Sequence, residues 1–208
     1  MFTVTLVATI AYFLGSFPTG YIAGRIGGLD VRKIGSGNVG ATNVTRVLGK
    51  KFGYPVFILD VAKGLVAVRL AATIATAEQS TPEATDLCVA VAAIFSVIGH
   101  SYPIWLGFNG GKGVATSIGS LFGLSWIAAL VVCGVWIIVF QVTRYVSLAS
   151  IIAAIALPVT IVAMLLLQQL QTPILFYFGL CLTAIVVLRH RSNLSRLVKG
   201  TEPRFARK

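Results

Sequence analysis

The chain has 208 residues, 57% of them hydrophobic and only 11% charged, with a mean hydropathy of +0.90; soluble domains carry about 25% charged residues, so a water-soluble globular protein is excluded. A net charge of +11 would suit nucleic acid, but the basic residues sit in short segments between apolar runs, which excludes that partner too. What remains is a multi-pass membrane protein, with membrane lipids as its surroundings.

Apolar runs of the length that crosses a ~30 Å hydrocarbon core occupy Thr3 to Gly24, Tyr54 to Ala77, Leu87 to Leu106, Val114 to Val142, Tyr145 to Leu167 and Pro173 to Leu188. They take up most of the chain, so residues 1–208 are expected to form a single domain. The first run has no basic residue ahead of it, and Arg25 follows it, so it reads as a retained helix and not a cleaved signal. Cys88, Cys133 and Cys181 lie inside apolar runs without a C-x-x-C pair, which points to packing and not to a disulfide or zinc.

Arg25, Arg32, Lys33, Arg46, Lys50 and Lys51 all fall between the first and second runs, which places that segment in the cytoplasm and the N-terminus outside. Within it, Gly35-Ser-Gly-Asn-Val-Gly-Ala-Thr-Asn-Val-Thr-Arg46 meets the G-x-G-x-x-G spacing of a dinucleotide loop, with Asp60 near the position of a ribose ligand. That reading fails because Gly28-Leu-Asp-Val-Arg-Lys-Ile34 is not the apolar strand such a loop must follow. Ser36, Asn38, Thr42 and Asn43 alternate with glycines. Arg46 is expected on the first turn of a short helix capped by Thr42 or Asn43 and stopped near Gly49. Exposed N–H groups at a glycine-rich helix start, beside an arginine, suit a phosphate.

In the second run Lys63 lies one turn from Asp60, which predicts an intrahelical ion pair that lowers the cost of both charges in lipid. Arg69 is expected to snorkel. The loop that follows holds Glu78, Glu83 and Asp86 without a base and reads as external.

The third run leads into His100-Ser-Tyr-Pro-Ile-Trp-Leu-Gly-Phe-Asn-Gly-Gly-Lys-Gly-Val-Ala-Thr116. Here Gly110-Gly111-Lys112-Gly113 opens onto an apolar segment, so free N–H groups, a helix dipole and an ammonium converge on one anion. It is not a Walker A loop: it is one residue short, and Gly113 stands where Ser or Thr would hold magnesium. His100 alone reads more readily as a helix-end or packing histidine than as a catalyst. The spacing G-x-x-x-A-T recurs at Gly37/Ala41/Thr42 and Gly111/Ala115/Thr116, which points to two equivalent helix starts.

An external N-terminus and a tail rich in Arg189, Arg191, Arg196, Lys199, Arg204, Arg207 and Lys208 require an odd number of crossings. Breaking Val114 to Val142 near Gly123-Leu-Ser125 gives seven. The expected fold is therefore an all-α integral membrane protein of seven transmembrane helices, with the C-terminus cytoplasmic and one short, half-length helix after the GGKG loop. All Lys and Arg residues except Lys63 and Arg69 then face the cytoplasm. At the tail, Arg191 and Arg196 read as anchors, while His190 and Asn193, at i and i+3, share one face. The pooled chemistry is cationic and rich in donors, without paired carboxylates. That favours binding phosphates over acid/base work by acidic side chains.

The segments GSGNVGATNVTR with LDVAKG behind it, HSYPIWLGFNGGKGVAT, RYVSLAS and RHRSN, in this order, resemble the bacterial acyl-phosphate:glycerol-3-phosphate acyltransferases, the PlsY family. The resemblance covers essentially the whole chain and implies seven helices with an external N-terminus. It implies acyl transfer from acyl phosphate to the 1-position of sn-glycerol 3-phosphate, the first acylation of phospholipid synthesis, at the cytoplasmic face of the bacterial plasma membrane. By motif position, Ser36, Arg46, Lys112, His190 and Asn193 would act on the phosphate-bearing substrates. Gly35, Gly37, Asn38, Gly40, Thr42, Asn43, Asn109, Gly110, Gly111 and Gly113 would line their cradle, with His100 and Ser147 as weaker assignments. The family often reads F-K-G-G-K-G where this chain has Asn109, so the cationic role falls on Lys112 alone. The H-x-x-x-x-D motif of coenzyme A acyltransferases is missing: Ile104 stands four residues after His100 and Trp105 follows. No cofactor or metal is called for, and a monomer is expected. A transporter for a phosphorylated metabolite is the competing reading, weakened by the lack of a two-fold repeat of the whole chain; a lipid-synthesis scaffold without activity is a third.

Overall fold

The computed structural model describes residues 1–170 and 172–205. Among them every regular element is helical. The chain divides into two compact units, Met1–Leu124 and Ser125–Lys208.

In the first unit α1 (Phe2–Ser16) and α2 (Thr19–Ile26) replace the single helix expected over Thr3 to Gly24. Pro18 causes the break: it has no N–H to donate into the helix and disfavours the helical conformation at Phe17. The short α3 (Ala41–Leu48) ends at Gly49, whose φ of +83° turns the chain directly into α4 (Lys50–Ala77). At 28 residues α4 is about 42 Å long, and it begins four residues before its apolar run because Lys50 to Gly53 continue the helix. The next helix, α5 (Pro82–Ser101), also starts earlier than its apolar run. Thr81 accepts a hydrogen bond from the Ala84 N–H at its N-cap and Pro82 takes the first helical position, a standard helix start. It stops at Ser101 because Tyr102 precedes Pro103, and a 3₁₀ turn at Ile104–Leu106 leads to the GGKG loop and α6 (Val114–Leu124).

Glycines let these helices approach closely. A β-carbon on Gly15 would stand 2.0 Å from the Ser96 carbonyl oxygen, and one on Gly99 would stand 2.2 Å from that of Tyr12, so α1 and α5 meet backbone to backbone. Gly64 and Gly119 do the same for α4 and α6, where added β-carbons would fall 2.1 Å from Thr116 O and 1.8 Å from Val61 O. Small residues at such seams replace the hydrophobic drive that lipid cannot supply. A groove of about 520 Å³ between α1 and α5, lined by Val4, Ala8, Tyr12, Val91 and Phe95 among others, is apolar and suits hydrocarbon, not phosphate.

The second unit holds α7 (Trp126–Thr143), α8 (Val146–Leu166), α9 (Ile174–Arg189) and α10 (Arg191–Val198). The apolar run from Val114 breaks where expected: α6 ends at Leu124 and Ser125 is the N-cap of α7, accepting from the Ala128 N–H. The last expected helix is bent by 60° between α9 and α10, with His190 at the corner.

By length and apolar composition four segments can cross a membrane: Phe2–Ile26, Pro82–Leu106, Trp126–Thr143 and Val146–Leu166, with a fifth if α9 and α10 count as one. The long α4 carries Asp60, Lys63 and Arg69, too many charges for that criterion. Yet Asp60 and Lys63 are 1% and 9% exposed, while Phe57, Ile58, Leu59 and Val66 form its outer surface.

Candidate active site

Each unit has its own set of polar residues. In the first, the glycine loop before α3 is built around Asn43, which is 2% exposed. Its side-chain oxygen accepts from the Ser36 N–H at 2.9 Å, and its amide nitrogen donates to Val31 O at 3.0 Å and Ile34 O at 3.1 Å. Gly35 and Gly37 adopt φ of +65° and +69°, and a β-carbon on Gly35 would strike the Asn43 oxygen at 2.4 Å. The loop is therefore folded on an internal amide and does not wait for a ligand to shape it.

This corrects the expected cap. Gly40, not Thr42 or Asn43, is the N-cap of α3, without a side-chain hydrogen bond, because Asn43 is turned inward to the loop and Asn38 instead accepts from the Gly40 N–H at 2.8 Å. Arg46 lies in the last turn of α3, not the first, so its charge acts apart from that helix's N-terminal dipole. Ser36 and Arg46 are both exposed, and Thr42 is half-buried. Arg32 is engaged elsewhere: it forms a paired contact with Asp30 at 2.8 and 2.9 Å and lies over the Tyr21 ring. The side-chain hydrogen bond from Arg32 holds the Asp30 carboxyl down to about 2.

The GGKG loop folds back on the end of α5. The Gly110 N–H donates to Ser101 O at 3.1 Å and the Gly111 N–H to His100 O at 3.0 Å. Gly37 likewise donates to Ile34 O at 3.2 Å. These three N–H groups, with that of Gly40, shape the loops internally, so these four glycines spend their N–H groups on the backbone path. Gly113 turns into α6 with φ +81°, where a β-carbon would meet Val97 at 2.7 Å. Lys112, half-buried, sits one residue before that turn, and Asn109 donates to Gly107 O at 2.9 Å in its own loop. The two G-x-x-x-A-T segments are not in register, since Ala41 opens α3 whereas Val114 precedes Ala115 in α6.

Beneath this loop lies a buried polar cluster. Asp60 accepts from Thr19 at 2.6 Å and pairs with Lys63 at 2.9 Å, as the spacing predicted; His100 Nδ1 is 3.6 Å away, and Lys63 also donates to Phe17 O at 3.2 Å. The carbonyl exposed by the Pro18 break thus meets a cation. The spacing of Asp60 and Lys63 was readable from sequence, whereas the Thr19 and His100 contacts join residues about 40 positions apart and left no local pattern.

The second unit centres on Glu202, which the sequence reading passed over. Its carboxylate accepts from Ser147 at 2.6 Å, Asn193 at 2.7 Å and Arg196 Nε at 2.7 Å. Burial raises its carboxyl, but these three hydrogen bonds outweigh it and the net shift is downward. Arg196, expected as a simple anchor, is ion-paired here. His190, 2% exposed, directs Nδ1 at Val186 O at 2.8 Å; a carbonyl only accepts, so that nitrogen carries the proton. The only hint of Glu202 in the sequence is that it is the sole acid in a strongly basic tail.

Residues 5–200 match the model of the family described as glycerol-3-phosphate acyltransferase. Among curated relatives, the glycerol-3-phosphate acyltransferase of Synechococcus elongatus is 46% identical over 209 residues, covering 100% of this chain and 97% of its own. That of Gloeobacter violaceus is 46% identical over 197 residues, covering 94% of this chain and 91% of its own. Two crystal structures of PlsY, an integral membrane glycerol 3-phosphate acyltransferase, are 39% identical and cover 98% of this chain. The glycerol 3-phosphate form superposes with a TM-score of 0.84 over 96% of its chain, and the lysophosphatidic acid form with 0.82 over 95%. The chain belongs to the glycerol-3-phosphate acyltransferase family.

Proposed function

We propose that the protein transfers a fatty acyl group from acyl phosphate to the 1-hydroxyl of sn-glycerol 3-phosphate. The hydroxyl oxygen attacks the acyl carbonyl, the carbon–oxygen bond to phosphate breaks, and 1-acyl-glycerol 3-phosphate (lysophosphatidic acid) and inorganic phosphate leave. One observation carries the donor assignment: Asp30, Asp60 and Glu202 are each held by a cation. A carboxylate so engaged is a poor general base. In this scheme a substrate phosphate takes the hydroxyl proton, which is feasible because an acyl phosphate is an activated anhydride whose leaving group needs no strong push. Positioning and charge stabilisation then supply most of the rate.

Ser36, Arg46, Lys112, His190 and Asn193 hold the phosphate-bearing substrates in this scheme. Asn109, in place of the family's lysine, tunes phosphate affinity modestly, and the acyl tail lies among the helices in the bilayer. The chain crosses the bacterial plasma membrane seven times with α4 and the short α6 among the crossings, N-terminus outside and site facing the cytoplasm. The buried placement of the α4 charges supports counting it as a span.

The test is to mix purified protein with acyl phosphate and glycerol 3-phosphate and follow phosphate release. Release that depends on glycerol 3-phosphate, with a coenzyme A thioester inert as donor, is expected. Release independent of glycerol 3-phosphate, or efficient turnover of the thioester, overturns the assignment.

A further inference from the structure

The buried cluster reaches the GGKG loop through the ring of His100. Asp60 contributes one negative charge and Lys63 one positive, at 2.9 Å, so the site is balanced without a charge on the imidazole. A neutral ring facing a carboxylate oxygen at 3.6 Å must turn its N–H toward it, since two buried acceptors face to face repel. Nδ1 therefore carries the proton and Nε2 is the acceptor on the opposite edge. That edge lies against Gly111, where an added β-carbon would stand 1.9 Å from Nε2. The same glycine donates its N–H to His100 O at 3.0 Å, and Gly110 donates to Ser101 O at 3.1 Å. Side chain and backbone of α5's last turn thus grip the loop one residue before Lys112.

We propose that Asp60 and His100 act as a positioning pair for the GGKG loop. The buried carboxylate sets the orientation of the ring, the ring seats Gly111, and Gly111 sets where Lys112 presents its ammonium. The inference rests on Lys112 holding a substrate phosphate. It moves His100 from the substrate-binding set to a supporting role: neither member of the pair touches substrate. Gly111 is then required because any side chain would displace the ring, and not because its N–H binds an anion.

Two measurements test the pair. The chain contains two histidines, so nitrogen-15 imidazole spectra of the full protein in detergent resolve both rings, with His190→Asn assigning the signals. The Nδ1–H form is expected for His100, with a shift toward the other tautomer in Asp60→Asn. An Nε2–H form or an imidazolium in the wild type overturns the proposal, as does a spectrum unchanged by Asp60→Asn. Because Asp60→Asn strips Lys63 of its counter-charge and risks misfolding, kinetics use the gentler His100→Ala. The expected result is a rise of about tenfold in KM for glycerol 3-phosphate with kcat within about threefold, the pattern of a misplaced binding group. A fall in kcat at unchanged KM overturns it. In a double-mutant cycle Gly111→Ala is expected to be damaging alone and nearly silent in the His100→Ala background; independent, multiplying effects would show that the two do not act through one contact. A wild-type protein without glycerol 3-phosphate-dependent release would defeat the acyl-transfer reading while leaving the tautomer result to decide the pair.

Discussion

Arg46 and Lys112 are the residues on which the proposed chemistry depends most directly. Replacing Lys112 with alanine removes an ammonium that holds a substrate phosphate, and the glycerol 3-phosphate concentration needed for half-maximal rate is expected to rise by about 100-fold, read as phosphate release. Arg46→Ala is expected to raise the same concentration by roughly 10- to 100-fold, the worth of a charge-assisted hydrogen bond. Asn43 has a different importance. Its three hydrogen bonds are internal, to Ser36 N, Val31 O and Ile34 O, so Asn43→Ala takes away the partner of Ser36 N and Val31 O, while Ile34 O keeps the Gly37 N–H. Amide hydrogen exchange at Ser36 is expected to rise markedly in that variant before any global unfolding. The sequence displayed Ser36, Arg46 and Lys112 openly because cations and hydroxyls among glycines stand out. It could not display that Asn43 serves the loop and not the ligand, since an amide's partners are chosen by the tertiary fold.

Helix ends were legible where a side chain or a backbone angle makes them. Ser125 starts α7 and Gly49 stops α3 by local chemistry, and both were readable. The Pro18 break was hidden inside an apolar run, where proline alters backbone bonding without altering hydropathy. The glycine seams were equally silent, because a glycine's neighbour across a helix pair is not in its own sequence window. Gly99→Ala makes that seam measurable: a β-carbon 2.2 Å from Tyr12 O forces α1 and α5 apart, and a loss of about 1–3 kcal/mol in stability is expected by thermal unfolding in detergent. The segment after α10 is tied by Glu202. Its carboxyl titrates below the unfolded value, so its stabilisation is complete above the ordinary glutamate range and is lost as pH falls through the lowered folded value. Acidification is expected to expose residues 199–205 to protease, and Glu202→Gln is expected to reproduce at neutral pH the cleavage that the wild type shows only in acid.

For the whole chain, the distribution of charge predicts a membrane orientation, while the tertiary partners of the charges had no signal in it. Basic residues cluster from Arg25 to Lys51 and from Arg189 into the tail, and acids cluster from Glu78 to Asp86, which predicts sidedness directly. Single cysteines at Gln169 and Ser192, both exposed, in a background with Cys88, Cys133 and Cys181 replaced, provide the check. An impermeant maleimide added to intact cells is expected to label the first and spare the second until the membrane is opened. The reverse pattern would invert the topology.

Glu202 lies 55 residues after Ser147 and follows Asn193 and Arg196 as well. Synthesis runs in one direction, so α8 with its Ser147 is made well before the acid that gathers it with the polar groups of α10. Assembly of the second unit is therefore a late event in time: closure of its polar cluster waits on the arrival of one carboxylate.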